Sequence, residues 1–324
     1  MRIVSPLNTA SEVDALVDAG ANEFYAGLLP AAWKERFSHC SPINRREWPQ
    51  SNFATAEELG KAIERAHERG APVNLTMNAQ YYTQEQYPVV LNELERALDQ
   101  GIDALIVGDI GLMLTLREQG IPARLHVSTV GTTFNSRTAR LYEELGAARL
   151  VLPRHFTLSE LERLRASTSL ELEMFIINAL CSFIDGLCTF QHALNVEGYP
   201  DLYLGADGCH ACRLTYEVKA HGPGAETARK HYQGWKSLLT EGTCHYCGAC
   251  AIWELDRIGM DSVKIIGRIH DTERKLRDLS LIAWARDLLS EGLTKNDYIE
   301  RVMARYAEVY GFPCGRRCYY PTAV

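Results

Sequence analysis

Three cysteines stand within seven residues in the stretch CHYCGAC, which runs from Cys244 through Cys247 to Cys250. Cysteine thiolates bind zinc and iron–sulfur clusters, and two of them at C-x-x-C spacing can also act as a redox pair. A third thiol at the same interval exceeds what a redox pair requires, because that chemistry uses two sulfur atoms. The stretch therefore predicts a segment that holds a metal ion or a cluster from several sides.

Nine of the ten cysteines lie beyond residue 180, and only Cys40 belongs to the first half of the chain. The nine are Cys181, Cys188, Cys209, Cys212, Cys244, Cys247, Cys250, Cys314 and Cys318. The sequence shows no signal peptide and no apolar run long enough to span a bilayer, so we expect a cytoplasmic protein. In a reducing compartment, clustered thiols bind metal or perform redox chemistry more often than they form disulfides.

The spacing of the cysteines leaves two kinds of metal centre open. Cys209 and Cys212 together with Cys244 and Cys247 would supply the paired C-x-x-C units that structural zinc prefers. The repeated C-x-x-C-x-x-C pattern is instead a ferredoxin-like spacing, which is typical of iron–sulfur ligation. The spacing therefore predicts metal binding without choosing between zinc and iron.

Short strands alternate with amphipathic helices through the first half of the chain. The strands include RIVSPL, EFYAGL and VNLTMN, and a helical segment follows each of them. This pattern predicts parallel strands with helical crossovers, and six or seven such units before residue 180 favour a closed (β/α) barrel of the TIM type. No G-x-G-x-x-G follows the first strand, so nothing supports dinucleotide binding.

The alternation breaks at a segment rich in cysteine and glycine, which divides the chain into three predicted parts. Residues 1–180 hold the barrel units, and residues 181–255 form a cysteine-rich metal-binding insertion. Residues 256–324 add a final barrel strand, a helical segment and the cysteine-containing tail. Because active sites of such barrels lie at the C-terminal ends of the strands, we expect the insertion to sit over or beside the barrel mouth.

Polar residues follow several of the predicted strands in the same register. They are Asn78, Asp109, Ser128, Thr129, Arg154 and His155. Each one taken alone is explained more simply as a loop residue that caps the next helix. Their shared position at the C-terminal ends of successive strands nevertheless predicts that they line one pocket.

Three segments resemble the signature of peptidase family U32, the collagenase-like peptidases of unknown catalytic type. The first, ELEMFIINALCSFIDGLC, matches the family at Glu173, Phe175, Leu180, Cys181, Gly186 and Cys188. The second, DGCHACRLTY, matches at Cys209, Cys212 and Arg213. The third, CGACAIWELDRIGMDSVKIIGR, matches at Cys247, Leu255, Gly259, Asp261, Ser262, Lys264, Gly267 and Arg268. The resemblance covers nearly the whole chain, and its block from Cys181 to Cys188 is specific.

Four positions depart from the family pattern. A family glutamate between Ile and Gly is Ile266, and a family glycine before Ala-Leu-Cys is Asn178. Val130 stands where the family has glutamine, and His155 replaces an acidic residue. These positions fall near the predicted pocket, so they put the substrate in doubt more than the fold.

The resemblance implies an iron–sulfur protein, because members of this family are understood as such despite their name. Several support oxygen-independent hydroxylation of a tRNA uridine, a ribosomal RNA cytidine or the ubiquinone ring, and prephenate is implicated as the oxygen donor. We therefore expect a 4Fe–4S cluster on Cys181, Cys188 and Cys209, with Cys212 or Cys247 as the fourth ligand. The sequence leaves open whether the chain acts alone or, like ubiquinone-pathway relatives, as half of a heterodimer with a homologous subunit.

The cysteine set is larger than one cluster requires. Cys40 falls in a loop from which some relatives donate a ligand, so it is a reserve candidate. We expect Cys244 and Cys250 to form a second centre with Cys314 and Cys318 of the tail, holding another cluster or zinc. The alternative is that these thiols are small buried hydrophobic side chains.

We therefore expect a cluster-dependent oxidoreductase or hydroxylase acting on a small aromatic molecule or on RNA. Its candidate catalytic residues are Arg154, His155, Arg213, Lys264 and Arg268, whose cations could pair with the carboxylates of an anionic donor. One alternative is a non-catalytic, metal-stabilised module that binds RNA or protein, although the net charge of −7 weakens the RNA version. Another is a metal-bearing protease, for which the chain has neither H-E-x-x-H nor G-x-S-x-G.

Overall fold

The computed structural model of the chain describes residues 1–38, 41–46, 49–178, 181, 184–188, 219–240, 246–315 and 318–323. Several predicted site residues lie outside these described residues. They are Cys40, Cys209, Cys212, Arg213 and Cys244.

Eight parallel strands close into a barrel, which confirms the predicted fold. They are β1 (Arg2–Pro6), β2 (Glu23–Gly27), β3 (Val73–Met77), β4 (Ala104–Val107), β5 (Leu125–Val127), β6 (Ala147–Val151), β7 (Glu171–Asn178) and β9 (Ser262–Ile265). The strands from β1 to β7 pair in chain order, and β9 enters between β7 and β1 to complete the ring. A two-residue strand, β8 (Tyr246–Cys247), pairs antiparallel with the end of β7.

The described part of the chain also holds eleven helices. They are α1 (Val13–Asp18), α2 (Ala31–Arg36), α3 (Ala56–Glu68), α4 (Tyr87–Asp99), α5 (Ile110–Glu118), α6 (Ser136–Glu144), α7 (Leu158–Arg165), α8 (Ala225–Thr240), α9 (Ile252–Ile258), α10 (Thr272–Leu288) and α11 (Lys295–Tyr310). The helix α7 shows why these segments begin where they do. The Thr157 side chain accepts the Glu160 N–H, and the Glu160 carboxylate accepts the Thr157 N–H, which forms a capping box. In the described part of the chain, no helix is both long and apolar enough to cross a membrane.

The interior of the barrel carries a buried ion network rather than a purely apolar core. Glu173 accepts from Lys264 Nζ at 2.8 Å and from Arg149 Nη1 at 2.8 Å, and Arg149 also pairs with Glu23. Burial alone would raise the pKa of Glu173, but the charges of Lys264 and Arg149 lower it to about 2. These pairs compensate charges that would otherwise be costly to bury, and they form the floor beneath the barrel mouth.

The C-terminal tail returns to the barrel beside β7 and β8. Cys318 forms a parallel β-bridge with Cys247, and the Tyr319 N–H donates to the Cys247 carbonyl at 3.1 Å. The Tyr319 hydroxyl donates to the carbonyl of Asn178 at 3.2 Å. The Tyr319 and Tyr320 rings are both buried, so the tail is part of the core rather than an appendage.

Candidate active site at the barrel mouth

A cleft of about 630 Å³, measured with its open mouth, lies at the C-terminal ends of the barrel strands. Its lining combines polar and charged side chains with a few apolar ones. The lining residues are Tyr25, Arg45, Arg46, Thr76, Asn78, Ile106, Ser128, Thr129, Val151, Arg154, Phe175, Lys264, Ile266, Gly267 and Arg268. Five of the fifteen are cationic and none is acidic, so the cleft is built for a negatively charged ligand.

Two of the five cations are neutralised by a carboxylate beside the cleft. Arg154 holds Asp185 through its Nε at 2.8 Å and through its backbone N–H at 2.9 Å. Lys264 is paired with Glu173, and its ammonium also lies 4.1 Å from the centre of the Tyr25 ring. Burial would lower the pKa of the Arg154 guanidinium, but the charge of Asp185 raises it, so this cation is held in its charged form.

Arg268 has a different environment, because all its described partners are neutral. It donates to Thr76 Oγ1 at 2.8 Å, to Asn44 Oδ1 at 2.8 Å and to Asn52 Oδ1 at 3.4 Å. Only 5% of Arg268 is exposed, and burial lowers its pKa to about 10. A methyl group at Gly27 would lie 1.8 Å from Arg268 Nη1, so the glycine provides the space that the guanidinium occupies.

Arg46 lies in the same cleft, and it also meets no carboxylate among the described residues. Burial and the positive charges of Arg268 and Arg45 lower its pKa to about 9. Two guanidiniums that repel each other in a buried site are stabilised when an anion binds between them. Arg46 and Arg268 are therefore the strongest candidates for contacts to a carboxylate or phosphate group.

Two of the predicted cluster cysteines lie beside this cleft. The Cys188 sulfur accepts from Arg45 Nη2 at 3.5 Å, and the charge of Arg154 interacts with the Cys181 thiol. Cys181 and Cys188 therefore lie at the rim of the cleft, each beside an arginine that lines it.

A second group of thiols lies behind β7, where the tail returns. Cys247 and Cys318 are joined by the β-bridge, and the charges of Cys250 and Cys314 interact with that of Cys247. The sequence placed Cys247 among the cluster candidates and Cys244 with the tail, whereas the structure brings Cys247 to the tail cysteines. Within the described ranges, no three His, Cys, Asp or Glu side chains are arranged to hold a metal ion as they stand.

The strand-end residues predicted from the sequence divide into two sets. Asn78, Ser128, Thr129 and Arg154 line the cleft, as do Lys264 and Arg268 from the third family segment. Asp109 instead caps α5, accepting from the Gly111 N–H at 2.9 Å and from the Tyr87 hydroxyl at 2.8 Å. His155 is exposed and is not part of the cleft lining.

Sequence reasoning missed Tyr25, Arg45 and Arg46. The two arginines come from the loop between α2 and α3, so they have no place in a register of strand ends. The adjacent pair in NRREW was the available signal, since two neighbouring arginines supply two cations to one loop, and both are only partly exposed in the structure.

Two departures from the family pattern acquire a physical meaning in the structure. Asn178 has φ 78°, a left-handed conformation that glycine adopts freely and that asparagine tolerates better than other residues. Ile266 lines the cleft at the position where the family pattern has glutamate. The cleft of this chain therefore lacks an acid that the family pattern would place there, which increases its positive charge.

Comparison with known proteins finds a matching family model, similar sequences and similar structures. The family model described as Peptidase family U32 matches residues 8–313. An uncharacterized protease of Methanocaldococcus jannaschii is 28% identical over 325 residues, covering 96% of this chain and 70% of that protein. The tRNA hydroxylation protein P2 of Bacillus subtilis is 27% identical over 316 residues, covering 93% of this chain and 91% of that protein. A solved U32 peptidase structure is 13% identical, with a TM-score of 0.47 and coverage of 82% and 92%.

Proposed function

The chain belongs to peptidase family U32, and from this premise we propose that it is an iron–sulfur-dependent redox enzyme that hydroxylates its substrate without oxygen. The observation that carries the proposal is the position of Cys181 and Cys188 beside a cleft in which two guanidiniums meet no carboxylate among the described residues. Such a cleft would hold an anionic small molecule next to the cluster. The relative named as a tRNA hydroxylation protein supports RNA as the class of substrate.

The anion would be held by Arg46 and Arg268, because these cations have no carboxylate of their own among the described residues. Arg154 is fixed in place by Asp185, so its positive charge would face the bound anion in a preset orientation. Phe175, Ile106 and Val151 supply apolar surface between the cations. A carboxylate attached to a ring, as in prephenate, combines the two properties that this lining complements.

The cysteines at the cleft rim fit a cluster. A 4Fe–4S centre on four thiolates carries net negative charge, and Arg45 and Arg154 lie where they would compensate it. Cys181 and Cys188 would be joined by Cys209 and by Cys212 or Cys247, as the resemblance implies. When bound, the cluster would supply electron transfer or an open iron site. The residues of the cleft would position the anion and exclude water. The positive charges of Arg45 and Arg154 would lie next to the cysteine thiolates.

The cluster is tested by anaerobic purification followed by iron and sulfide counting and a visible absorption spectrum. We expect a brown protein whose iron is lost in Cys181→Ser and in Cys188→Ser. Ser280→Ala is the control, because the Ser280 hydroxyl lies on the outside of α10, where it donates to the Arg277 carbonyl, and its loss should leave the iron content near that of the wild type. A colourless protein that contains zinc alone would overturn the proposal, and peptide cleavage that survives removal of iron would favour a protease.

The anion site is tested separately by measuring prephenate binding calorimetrically. Arg268→Gln and Arg46→Gln should each weaken binding about ten- to hundredfold, since a charge-assisted hydrogen bond contributes about 1.5–3 kcal/mol. Arg117→Gln is the control, because that arginine lies on the surface of α5 and donates to the Glu144 carbonyl. Equal affinity in all three variants would exclude the cleft as the anion site.

A further inference from the structure

One buried amide joins the two cleft arginines that meet no carboxylate in the described part of the chain. The Asn44 side-chain oxygen accepts from Arg268 Nη2 at 2.8 Å and from the backbone N–H of Arg46 at 3.0 Å. The second contact is an Asx-turn, in which asparagine fixes the backbone two residues further on. Asn44 therefore holds one guanidinium directly, and it fixes the backbone from which the other arginine side chain starts.

The other half of the same amide fixes its orientation. The Asn44 Nδ2 group donates to the Leu28 carbonyl at 3.1 Å and to Asn52 Oδ1 at 2.8 Å, and the residue is 0% exposed. Both donors of the amide meet acceptors while its oxygen faces N–H groups, so the reverse orientation would place like groups against each other. The oxygen is thus held towards Arg268 by hydrogen bonds that do not involve the arginine.

Neutral partners also meet the rest of the Arg268 guanidinium. Thr76 Oγ1 accepts from Arg268 Nη1 at 2.8 Å, while its own hydroxyl donates to the Ala26 carbonyl at 2.8 Å. Asn52 Oδ1 accepts from the same Nη1 at 3.4 Å. These contacts satisfy hydrogen bonds but leave the positive charge in place, because amide and hydroxyl oxygens carry no net charge. Among the described residues nothing supplies the counter charge, so a bound anion would supply it.

Two other cations of the cleft show what a charged partner does instead. Arg154 is held by the carboxylate of Asp185. Lys264 is held by the carboxylate of Glu173. Each of these cations is compensated within the fold. Asn44 also holds a buried cation, but it does so with an amide, which differs from the aspartate side chain only by an NH2 group in place of an oxygen.

We propose that Asn44 is the positioning residue that sets how much negative charge the cleft accepts. Its neutral amide holds Arg268 in place without cancelling the charge, so that Arg268 and Arg46 are each available to one anionic group. The cleft would then prefer a small molecule with two anionic groups over a similar one with a single group. This inference rests on the proposed anion site, although not on the iron–sulfur cluster.

The test compares two related ligands, prephenate with two carboxylates and phenylpyruvate with one, by calorimetry on the full chain. We expect the wild type to bind prephenate about ten- to hundredfold more tightly, since the second carboxylate makes a further charge-assisted contact. Asn44→Asp should remove most of this preference, because its carboxylate would neutralise Arg268 and leave Arg46 alone to bind an anionic group. Phenylpyruvate, which needs one cation, should bind Asn44→Asp nearly as tightly as it binds the wild type.

Asn44→Ala separates this role from a purely structural one. Alanine removes the hydrogen bonds but adds no charge, so it should weaken prephenate binding only a few-fold and keep the preference for prephenate. If asparagine served only to hold its neighbours, Asn44→Asp would bind prephenate better than Asn44→Ala, since aspartate keeps both acceptor contacts. Gln119→Glu is the control for added charge, because Gln119 is exposed at the C-terminal end of α5, opposite to the cleft. It should leave both affinities unchanged.

Asn52→Asp covers the case in which Asn44→Asp fails to fold, which thermal unfolding would reveal. Asn52 contacts the other terminal nitrogen of Arg268, so a carboxylate there should remove the same preference. A wild type that binds the two ligands equally would overturn the proposal. So would a prephenate affinity that is as high in Asn44→Asp as in Asn44→Ala.

The same measurements distinguish this inference from the proposed function. A wild type that binds neither ligand would overturn both the anion site and the role of Asn44. A wild type that prefers prephenate but contains no iron would contradict the iron–sulfur enzyme and support the role of Asn44. A brown protein that binds prephenate but shows no preference over phenylpyruvate would overturn the role of Asn44 alone.

Discussion

Gly27 provides the space that a cleft arginine occupies. Its missing side chain leaves room for Arg268, since a methyl group there would lie 1.8 Å from Arg268 Nη1 and 2.2 Å from Asn52 Oδ1. Gly27→Ala should therefore displace the guanidinium and weaken anion binding about ten- to hundredfold, as in the loss of a charged hydrogen bond. Gly315→Ala is a matched control, because a methyl group at Gly315 meets no atom within 4 Å. Prephenate affinities that are equal in the two variants would contradict this role.

The buried pair of Asp185 and Arg154 predicts a dependence of stability on acid. Burial would raise the pKa of Asp185, but the charge and hydrogen bonds of Arg154 lower it from 3.8 to about 2. The stabilisation is thus complete above pH 3.8 and is lost as the pH falls towards 2. Its size follows from the shift and is about 2 kcal/mol.

Urea unfolding measures this dependence. The unfolding free energy of the wild type should fall between about pH 5 and pH 2 by roughly 2 kcal/mol more than that of Asp185→Asn. The amide keeps the shape of the side chain but does not titrate. Parallel pH profiles for the two proteins would show that the pair contributes nothing to the acid response.

At the scale of elements, Asn178 connects the end of β7 to two neighbours. Its side-chain amide donates to the Ile266 carbonyl at 2.8 Å and to Asp278 of α10 at 2.7 Å, while its own φ is 78°. Asn178→Gly should lose the hydrogen bonds at a cost of about 1–3 kcal/mol, because a buried acceptor is left unsatisfied. Asn178→Ala should lose about 1 kcal/mol more, because alanine is strained at positive φ. Chemical denaturation of both variants checks this order, and an alanine variant as stable as the glycine variant would refute it.

The elements were largely predictable, whereas the groups of residues that they bring together were only partly so. Alternation of strands and helices is a local signal, so the barrel and the positions of Asn78, Ser128 and Arg154 at strand ends followed from it. Arg45 and Arg46 escaped because a loop carries them to the mouth, and loops have no periodicity. The grouping of Cys247 with Cys318 depends on a backbone pairing between segments far apart in the chain, which spacing does not encode.

At the scale of the molecule, the tail acts as a component of the barrel wall. Tyr319, Tyr320 and Ala323 are each at most 5% exposed, so removing residues 312–323 would uncover apolar surface next to β7 and β8. Deleting this segment should lower the unfolding free energy by several kcal/mol, because burying an aromatic side chain contributes about 1.5–3 kcal/mol. Thermal unfolding of the full and shortened chains measures the difference in their stability. Deletion of residues 219–224 is a control, because all but one of these residues are exposed. A shortened tail without loss of stability would mean that these rings are not part of the core.

The entry of β9 between β7 and β1 also has a consequence for the time at which the protein can fold on the ribosome. Before β9 is synthesised, β1 and β7 are the two edge strands of a sheet made of β1 to β7. Each of them lacks β9, its second neighbour, until residue 265 has been made. At a synthesis rate of about 5–20 residues per second, the ribosome takes on the order of ten seconds to travel from the end of β7 to the end of β9. During that interval both strand edges are open to pairing with other chains, which is the condition under which nascent sheets aggregate. Slow codons after β7 would lengthen that interval, and a chaperone bound there would shield the open strand edges. The yield of folded protein should therefore depend more on the translation rate of the mRNA between the codons for β7 and β9 than on the rate elsewhere.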